Sequence, residues 1–189
     1  MVHYKSCTTD GELLQILDLQ KRNHPDLLTD EERQSQGFVT VKHDFETLEV
    51  MNTPFAHSLA ISDDRVVGYA LTMERSMKAR IPILQPMFVT LDTLSIQNRK
   101  MSDGGYIVMG QICVERAFRG KGVFRGLYSH MRSRLGPHFR YLITEISERN
   151  TRSLNAHSAV GFQKLITYDA PDGERWVIVG WNWNQSNTK

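Results

Sequence analysis

Only two cysteines, Cys7 and Cys113, occur in the 189 residues, too few and too far apart for a disulfide framework, so the fold must rest on an apolar core. No apolar run approaches the ~20 residues of a membrane helix; residues 176–179 are typical of the longest. Cys-x-x-Cys and His-Glu-x-x-His are absent and the seven histidines do not cluster, so no metal site is expected. A Gly-x-Ser-x-Gly elbow is missing as well, which removes the common serine-hydrolase signature. Residues 1–10 lack a basic segment followed by an apolar stretch, so no secretory signal is read and a reducing, cytoplasmic location is the expectation. Hydrophobic residues at 40% and charged residues at 23% argue against disorder, collagen and coiled coil.

A chain of this length is expected to form one domain over residues 1–189, hiding roughly 70% of its unfolded surface. The net charge of +2 conceals an asymmetry: residues 1–95 hold nine basic and fourteen acidic side chains, residues 96–189 fourteen and seven. Residues 116–140 carry Arg116, Arg119, Lys121, Arg125, Arg132, Arg134 and Arg140 with no acidic residue, which suits a polyanion or a solvated helix face. Few aromatics stand there for base stacking, which argues against a nucleic-acid partner.

Alternation predicts a first strand at residues 2–5, then a helix with Asp10 as N-cap and an apolar stripe at Leu13, Leu14, Ile16 and Leu17. Thr29 and Glu32 read as a capping box opening a short polar helix that ends near Gly37; a second helix runs from Asp44 through Phe45, Leu48 and Met51. Residues 57–73 read as a hairpin about Asp63-Asp64. Residues 74–105 are a long insertion before the next strand, with Pro86 in the first turn of a helix whose apolar face is Met87, Phe88, Leu91 and Leu94. The methionines Met73, Met77 and Met87, with Phe88, suit either an acceptor pocket or core filling. Residues 106–114 and 141–146 are buried strands. Between them a glycine-punctuated turn leads into a helix with stripe Phe124, Leu127, Met131 and Leu135, stopped at Gly136-Pro137. A helix over 151–160 stops at Gly161, strands at 165–168 and 176–181 close the chain as a hairpin, and residues 182–189 form a frayed polar tail.

The turn Arg119-Gly120-Lys121-Gly122-Val123-Phe124, set between strand and helix, directs unpaired N–H groups out of the helix start and reads as a pyrophosphate cradle. A Walker loop fails because Gly122, not Ser or Thr, follows Lys121. A dinucleotide fingerprint fails because Gly126 falls one place late and the next acidic residue after Glu115 is Glu145. The stretch resembles the acyl-CoA loop of the GNAT superfamily of N-acetyltransferases, Gln/Arg-x-x-Gly-x-Gly/Ala. Arg119 and Gly122 match its first and fourth positions, while Phe124 stands where a small residue is usual and would crowd the helix start. Asn150 and Ser153, then His157 in the usual place of a tyrosine, then Gly161-Phe162, resemble the family's second motif.

The resemblance implies an α/β GNAT fold: a central mixed, mainly antiparallel sheet of six or seven strands flanked by helices, with the fourth and fifth strands, here residues 106–114 and 141–146, splayed. It implies acetyl-CoA as co-substrate and no metal. The pantetheine arm would bond to the backbone of Ile112, Cys113 and Val114, whose amides would also stabilise the tetrahedral oxyanion. Arg119, Gly120, Lys121, Gly122, Val123 and Phe124 would hold the pyrophosphate, Arg125 would meet the ribose phosphate, and Asn150 the pantetheine. The expected activity is acetyl transfer to a primary amine by direct attack in a ternary complex; the alternative is a non-catalytic CoA-binding module on the same fold.

An amine with a pKa near 10.4 is neutral in only about 1 molecule in 2,500 at pH 7, so a base is needed. Glu145, in an otherwise apolar strand, is the candidate, with Glu74 and a water held by Gln111 behind it. His157 as imidazolium is the candidate acid for the departing thiolate. Cys113 as a nucleophile finds no activating base nearby. The acceptor, a small molecule or a protein amine, stays open; Asp26, Asp30, Glu31, Glu32, Asp44 and Glu46 would attract a cation or form a solvated surface. The closing hairpin, with Trp176, Trp181 and Trp183, is a candidate homodimer surface or core. No membrane partner is expected.

Overall fold

A computed structural model of the chain describes residues 1–23 and 41–184. The predicted capping box at Thr29 and Glu32, the helix ending near Gly37, the acidic residues Asp26, Asp30, Glu31 and Glu32, and the last five residues lie outside the described residues. Among the described residues the strands are β1 (His3–Ser6), β2 (Ser58–Ser62), β3 (Arg65–Met73), β4 (Ser95–Ile96), β5 (Arg99–Lys100), β6 (Tyr106–Val114), β7 (Tyr141–Ser147), β8 (Gln163–Asp169) and β9 (Arg175–Asn182). The helices are α1 (Asp10–Arg22), α2 (Phe45–Met51), α3 (Gln85–Thr93), α4 (Val123–Leu135) and α5 (Thr151–Val160). Seven strands form one mixed sheet in the order β1-β2-β3-β6-β7-β9-β8, while β4 and β5 make a separate two-stranded ribbon. The chain divides into two compact units, Met1–Met73 with Met109–Leu135, and Glu74–Val108 with Gly136–Lys189.

In the first unit, β1, β2 and β3 pair antiparallel, β2 and β3 joined by the tight turn at Asp63-Asp64 and β1 and β2 by a long connection that holds α1 and α2. The Thr9 side chain accepts the Glu12 N–H while Glu12 reaches back to Thr9, so the capping box sits one residue before the predicted Asp10 cap. The buried stripe of α1 is Leu13, Ile16, Leu19 and Gln20, not the predicted Leu14 and Leu17; Leu14 is exposed. The reason is helical phase: 13, 16 and 20 follow one face, whereas 14 falls about 100° off it. Gln20 then acts as a strand substitute, donating Nε2 to the His43 carbonyl and accepting the His43 N–H, which seats the entry to α2. Gly126 has a packing role in α4: a Cβ there would stand 2.0 Å from the ring and hydroxyl of Tyr4, so a larger residue would force that ring to shift.

In the second unit, β7, β9 and β8 form an antiparallel core, and β6 joins β7 in parallel through Tyr106↔Tyr141, Ile107↔Leu142 and Val108↔Ile143. Those three pairs are the whole β6–β7 ladder among the described residues. The long insertion is folded, not loose: Met77, Leu84, Met87, Phe88, Leu91 and Met101 are all buried, so in this structure the methionines fill core. Asp92 ties it together by receiving Arg75 at 2.5 Å and Lys78 at 3.2 Å. At the tip of the β4–β5 ribbon, Gln97 Oε1 accepts from Arg140 at 3.1 Å, Tyr141 at 3.3 Å and Asn182 at 3.4 Å. Order runs past the predicted tail boundary: Asn182 closes β9, and Trp183 is buried with its N–H on the Arg140 carbonyl.

The buried histidines make the first unit acid-sensitive. The Thr72 N–H donates to His57 Nδ1 and His57 Nε2 donates to the Leu48 carbonyl, so the neutral ring uses both nitrogens and a second proton has nowhere to go. Burial drives His57 down to about 3 and His43 to about 4. Both folded values lie below the unfolded value of 6.5, so the unfolded chain binds about two more protons at pH 5, and stability is present above pH 6.5 and lost as pH falls toward 4. The slope is about 3 kcal/mol per pH unit for this unit. In the second unit the gain of a proton by Glu145, held up to about 7, opposes the loss from His157, held down to about 4. Thermal unfolding followed from pH 7.5 to 4.5 is therefore expected to show a steep fall beginning near pH 6.5; a melting temperature level to pH 5 contradicts this account.

Candidate active site

The glycine turn is built from the end of β6. The Glu115 N–H bonds to the Val67 carbonyl of β3 at 2.8 Å, and a short 3-10 turn, Arg116–Phe118, follows. Arg119 Nε donates to the Val114 carbonyl at 2.9 Å and its terminal nitrogen to Asn23 Oδ1 at 2.6 Å. One guanidinium thus ties the strand end, the base of the turn and the C-terminal cap of α1. Gly120 at φ +74 and Gly122 at φ +80 occupy the left-handed region that favours glycine, and nothing lies within 4 Å of a Cβ built at either. The turn is therefore an open surface.

The first rung of α4 runs from the Gly126 N–H to the Gly122 carbonyl at 3.0 Å. A helix start carries the positive end of the helix dipole, which favours an anion. No acidic side chain stands in the first turn to compete. The expected crowding by Phe124 is absent on the glycine side: its ring turns down the helix to meet Tyr128 edge-on at 5.1 Å. Lys121 Nζ lies 5.8 Å from the Phe118 ring centroid, which places a cation on the turn.

The backbone of Ile112, Cys113 and Val114 divides by direction. In extended strand successive residues send their N–H and C=O to opposite sides. The Glu115 N–H goes to β3, and the Cys113 carbonyl stands 3.2 Å from a Cβ built at Gly68 of β3, so Cys113 faces β3 too. Ile112 and Val114 accordingly face away from β3; the Val114 carbonyl on that side is taken by Arg119, and the two amides are the remaining donors. The Cys113 side chain is buried and its thiol pushed up to about 12 by desolvation, the opposite of an activated nucleophile. Gln111 is committed as well, accepting from the Tyr69 hydroxyl at 2.5 Å and donating to the Val41 carbonyl at 2.7 Å.

In the second unit Asn150 caps α5, its Oδ1 accepting the Ser153 N–H at 3.1 Å, so the side-chain NH2 is left as the donor. Glu145 lies on β7 directly opposite Ile178, and Leu142 directly opposite Trp181. Because side chains alternate along a strand, Glu145 and Trp181 point to opposite faces. Trp181 meets Phe162 at 5.8 Å, and Phe162 meets the His157 ring edge-on at 5.1 Å. The structure therefore sets the two sequence-derived acid–base candidates on opposite faces of the β7–β9 pair.

Their electrostatics differ in the same sense. Burial raises Glu145 to about 7, with an opposing hydrogen bond from Tyr168, which suits a group that accepts a proton near neutrality. His157 is 1% exposed, and burial lowers it to about 4. Its Nδ1 stands 2.7 Å from the Ser153 carbonyl, which can only accept, so the proton of the neutral ring is on Nδ1 and is already used. The imidazolium anticipated from sequence is not the form that this environment holds at pH 7. Trp181 and Trp183 are buried core, leaving Trp176 half-exposed. Asp44 N-caps α2 through the Thr47 N–H, with Glu46 in the first turn. The contact that sequence reading missed is Tyr168 on Glu145; strand alternation puts Tyr168 on one face of β8, but only the order β7-β9-β8 brings that face to Glu145.

No group of three or more His, Cys, Asp or Glu side chains suited to a metal occurs among the described residues, and no described helix is long and apolar enough to cross a membrane. The model of the acetyltransferase (GNAT) family matches residues 13–162. A search of curated proteins finds no match. Among solved structures, the ribosomal-protein-S18-alanine N-acetyltransferase from Escherichia coli superposes with a TM-score of 0.64 at 13% identity, covering 100% of this chain and 98% of that one. YncA from Salmonella typhimurium, solved with its cofactor acetyl-CoA, gives 0.61 at 14% identity, covering 99% and 96%. The NatC complex bound to Gag peptide and CoA gives 0.64 at 11% identity, covering 96% and 98%. At these identities the likeness is one of fold.

Proposed function

The chain belongs to the acetyltransferase (GNAT) family, and on that premise we propose that it transfers an acetyl group from acetyl-CoA to a primary amine by direct attack in a ternary complex. The observation that carries the reading is the open turn with left-handed Gly120 and Gly122 set directly before the N-terminus of α4. Its empty space and donor set fit a pyrophosphate, which acetyl-CoA would bring together with an activated thioester.

In this reading Gly120, Lys121, Gly122, Val123 and Phe124 supply backbone donors and positive charge to the phosphates, and Arg119 shapes the turn from beneath. The amides of Ile112 and Val114 serve the carbonyl oxygen as charge develops on it, a contribution typically worth about 3 kcal/mol. Cys113 contributes by pairing toward β3. Asn150 offers its side-chain NH2 to the amide-bearing arm. Glu145 takes a proton from the ammonium form of the acceptor, leaving a neutral nitrogen to attack. His157 packs the aromatic cluster behind α5, and return of a proton to the leaving sulfur is left to solvent.

Isothermal calorimetry with acetyl-CoA, run beside a thiol-release assay on polyamines, amino acids, aminoglycosides and peptides with free N-termini or lysines, tests the proposal. Saturable binding and turnover on at least one amine are expected. Binding with no turnover on any of them would instead assign a CoA-binding module; no binding removes the cofactor.

A further inference from the structure

The residue that touches Glu145 has no place in the family motifs or in the roles assigned above. Two strand spacings, about 9.6 Å, separate β7 from β8 across β9. Tyr168 on β8 pairs with Trp176, Glu145 on β7 with Ile178, and the two long side chains meet over the fully buried Ile178. The Tyr168 hydroxyl donates to Glu145 Oε2 at 2.5 Å, and among the described residues no other hydrogen-bond partner reaches this carboxylate. We propose that Tyr168 is the positioning residue of Glu145: it fastens one carboxylate oxygen from across the sheet and turns the other toward the acceptor amine. The inference rests on the reading of Glu145 as the base.

The surrounding charges leave this task to Tyr168. Ser147, two residues on along β7 and on the same face, gives its hydroxyl to Glu174 at 2.5 Å, and Arg149 pairs with Glu174 at 3.5 Å. Asp172 in the β8–β9 turn accepts the Glu174 N–H at 3.0 Å. Arg175 is drawn to Glu148 at 3.5 Å and Asp169 at 4.0 Å. On the opposite face stand Trp181 and His157, neutral in this setting. Thus, among the described residues of this unit, no cation offsets Glu145, and a single phenol opposes the effect of burial.

That phenol is held protonated. Burial, then the neighbouring carboxylates Glu145 and Asp172, push Tyr168 well above its ordinary range, so it is a donor at every working pH. A donor to a carboxylate favours the charged form, which is the form a base requires. Without it, Glu145 would keep its burial and lose its one stabilising contact, take up a proton at higher pH, and rotate between conformers.

Tyr168→Phe keeps the ring over Ile178 and removes only the hydroxyl, and the experiment compares it with the unaltered protein. With glutamate labelled by carbon-13 at the carboxyl, the Glu145 signal, identified by its loss in Glu145→Gln, is titrated from pH 5 to 9. The midpoint is expected to move up from about 7. The acidic limb of kcat/KM should move with it, cutting turnover at pH 7 about tenfold and returning by about pH 9, with acetyl-CoA affinity unchanged. A midpoint that stays or falls overturns the inference, whatever the activity. Full turnover in Glu145→Gln overturns the base reading beneath it, a separate result from an unmoved titration.

Discussion

Glu145→Gln is expected to lower kcat about 10²- to 10³-fold near pH 7.5 while acetyl-CoA binds as before. The amide oxygen of glutamine can still accept from the Tyr168 hydroxyl, and the volume over Ile178 is kept, so packing is not the variable. What disappears is a carboxylate poised at about 7, able to take a proton from an ammonium and pass it to water. The pH profile should change shape as well. The variant's residual rate should climb with pH as the acceptor loses its own proton, whereas the native enzyme levels off once Glu145 is ionised. Stability is expected to move the other way. The folded value of Glu145 lies above the unfolded one, so its contribution is favourable below about pH 4.5 and lost as pH rises through 7. Replacing a buried charge by an amide should therefore raise stability above pH 7, by about 2 kcal/mol. Lower activity with a higher melting temperature at pH 8 separates a lost base from a damaged fold; an active, unchanged variant assigns the proton transfer elsewhere.

Gly122→Val should weaken acetyl-CoA binding at least about 100-fold, measured by calorimetry, with a folded protein at hand to measure. Strain from a β-branched residue at φ +80 costs about 1–3 kcal/mol, a tolerable fraction of a domain's stability. No atom stands within 4 Å of the new Cβ, so nothing inside the protein is displaced. The isopropyl group instead enters the open space at the start of α4, where an anion would sit against the positive end of the helix dipole. Near-normal affinity would remove the cradle from this account. Gly126 marks the contrast, since its missing Cβ makes room for Tyr4 and its replacement would disturb packing rather than binding.

Those two glycines show how far the sequence could be read. Gly120 and Gly122 are legible because a strand, a glycine-rich turn and a helix stripe are written in neighbouring residues, and left-handed turns demand glycine whatever surrounds them. Gly126 looked like a fingerprint residue out of place; its reason, the ring of Tyr4, comes from a strand more than a hundred residues away. The hairpin at Asp63-Asp64 and the strands and helices after residue 105 follow local periodicity within one or two residues of their predicted bounds. The start of α1 was misread by one position because Thr9 and Asp10 are both good caps, and the choice fell to Glu12, whose carboxylate reaches back to the Thr8 and Thr9 amides.

Local chain chemistry by itself determined the order of elements, the phosphate-type turn and the family to which the residues belong, since propensity, turn geometry and motif spacing act over a few residues. Tertiary structure decided which candidates keep their charge. Glu145 and His157 are both titratable side chains singled out in sequence as proton carriers, yet the fold lays Tyr168 against Glu145 and Phe162 against His157. The first contact preserves a carboxylate that titrates near neutrality, the second leaves a neutral ring with its proton spent. Burial and the partner across the sheet set a group's proton affinity, and both depend on strands brought together from distant parts of the chain.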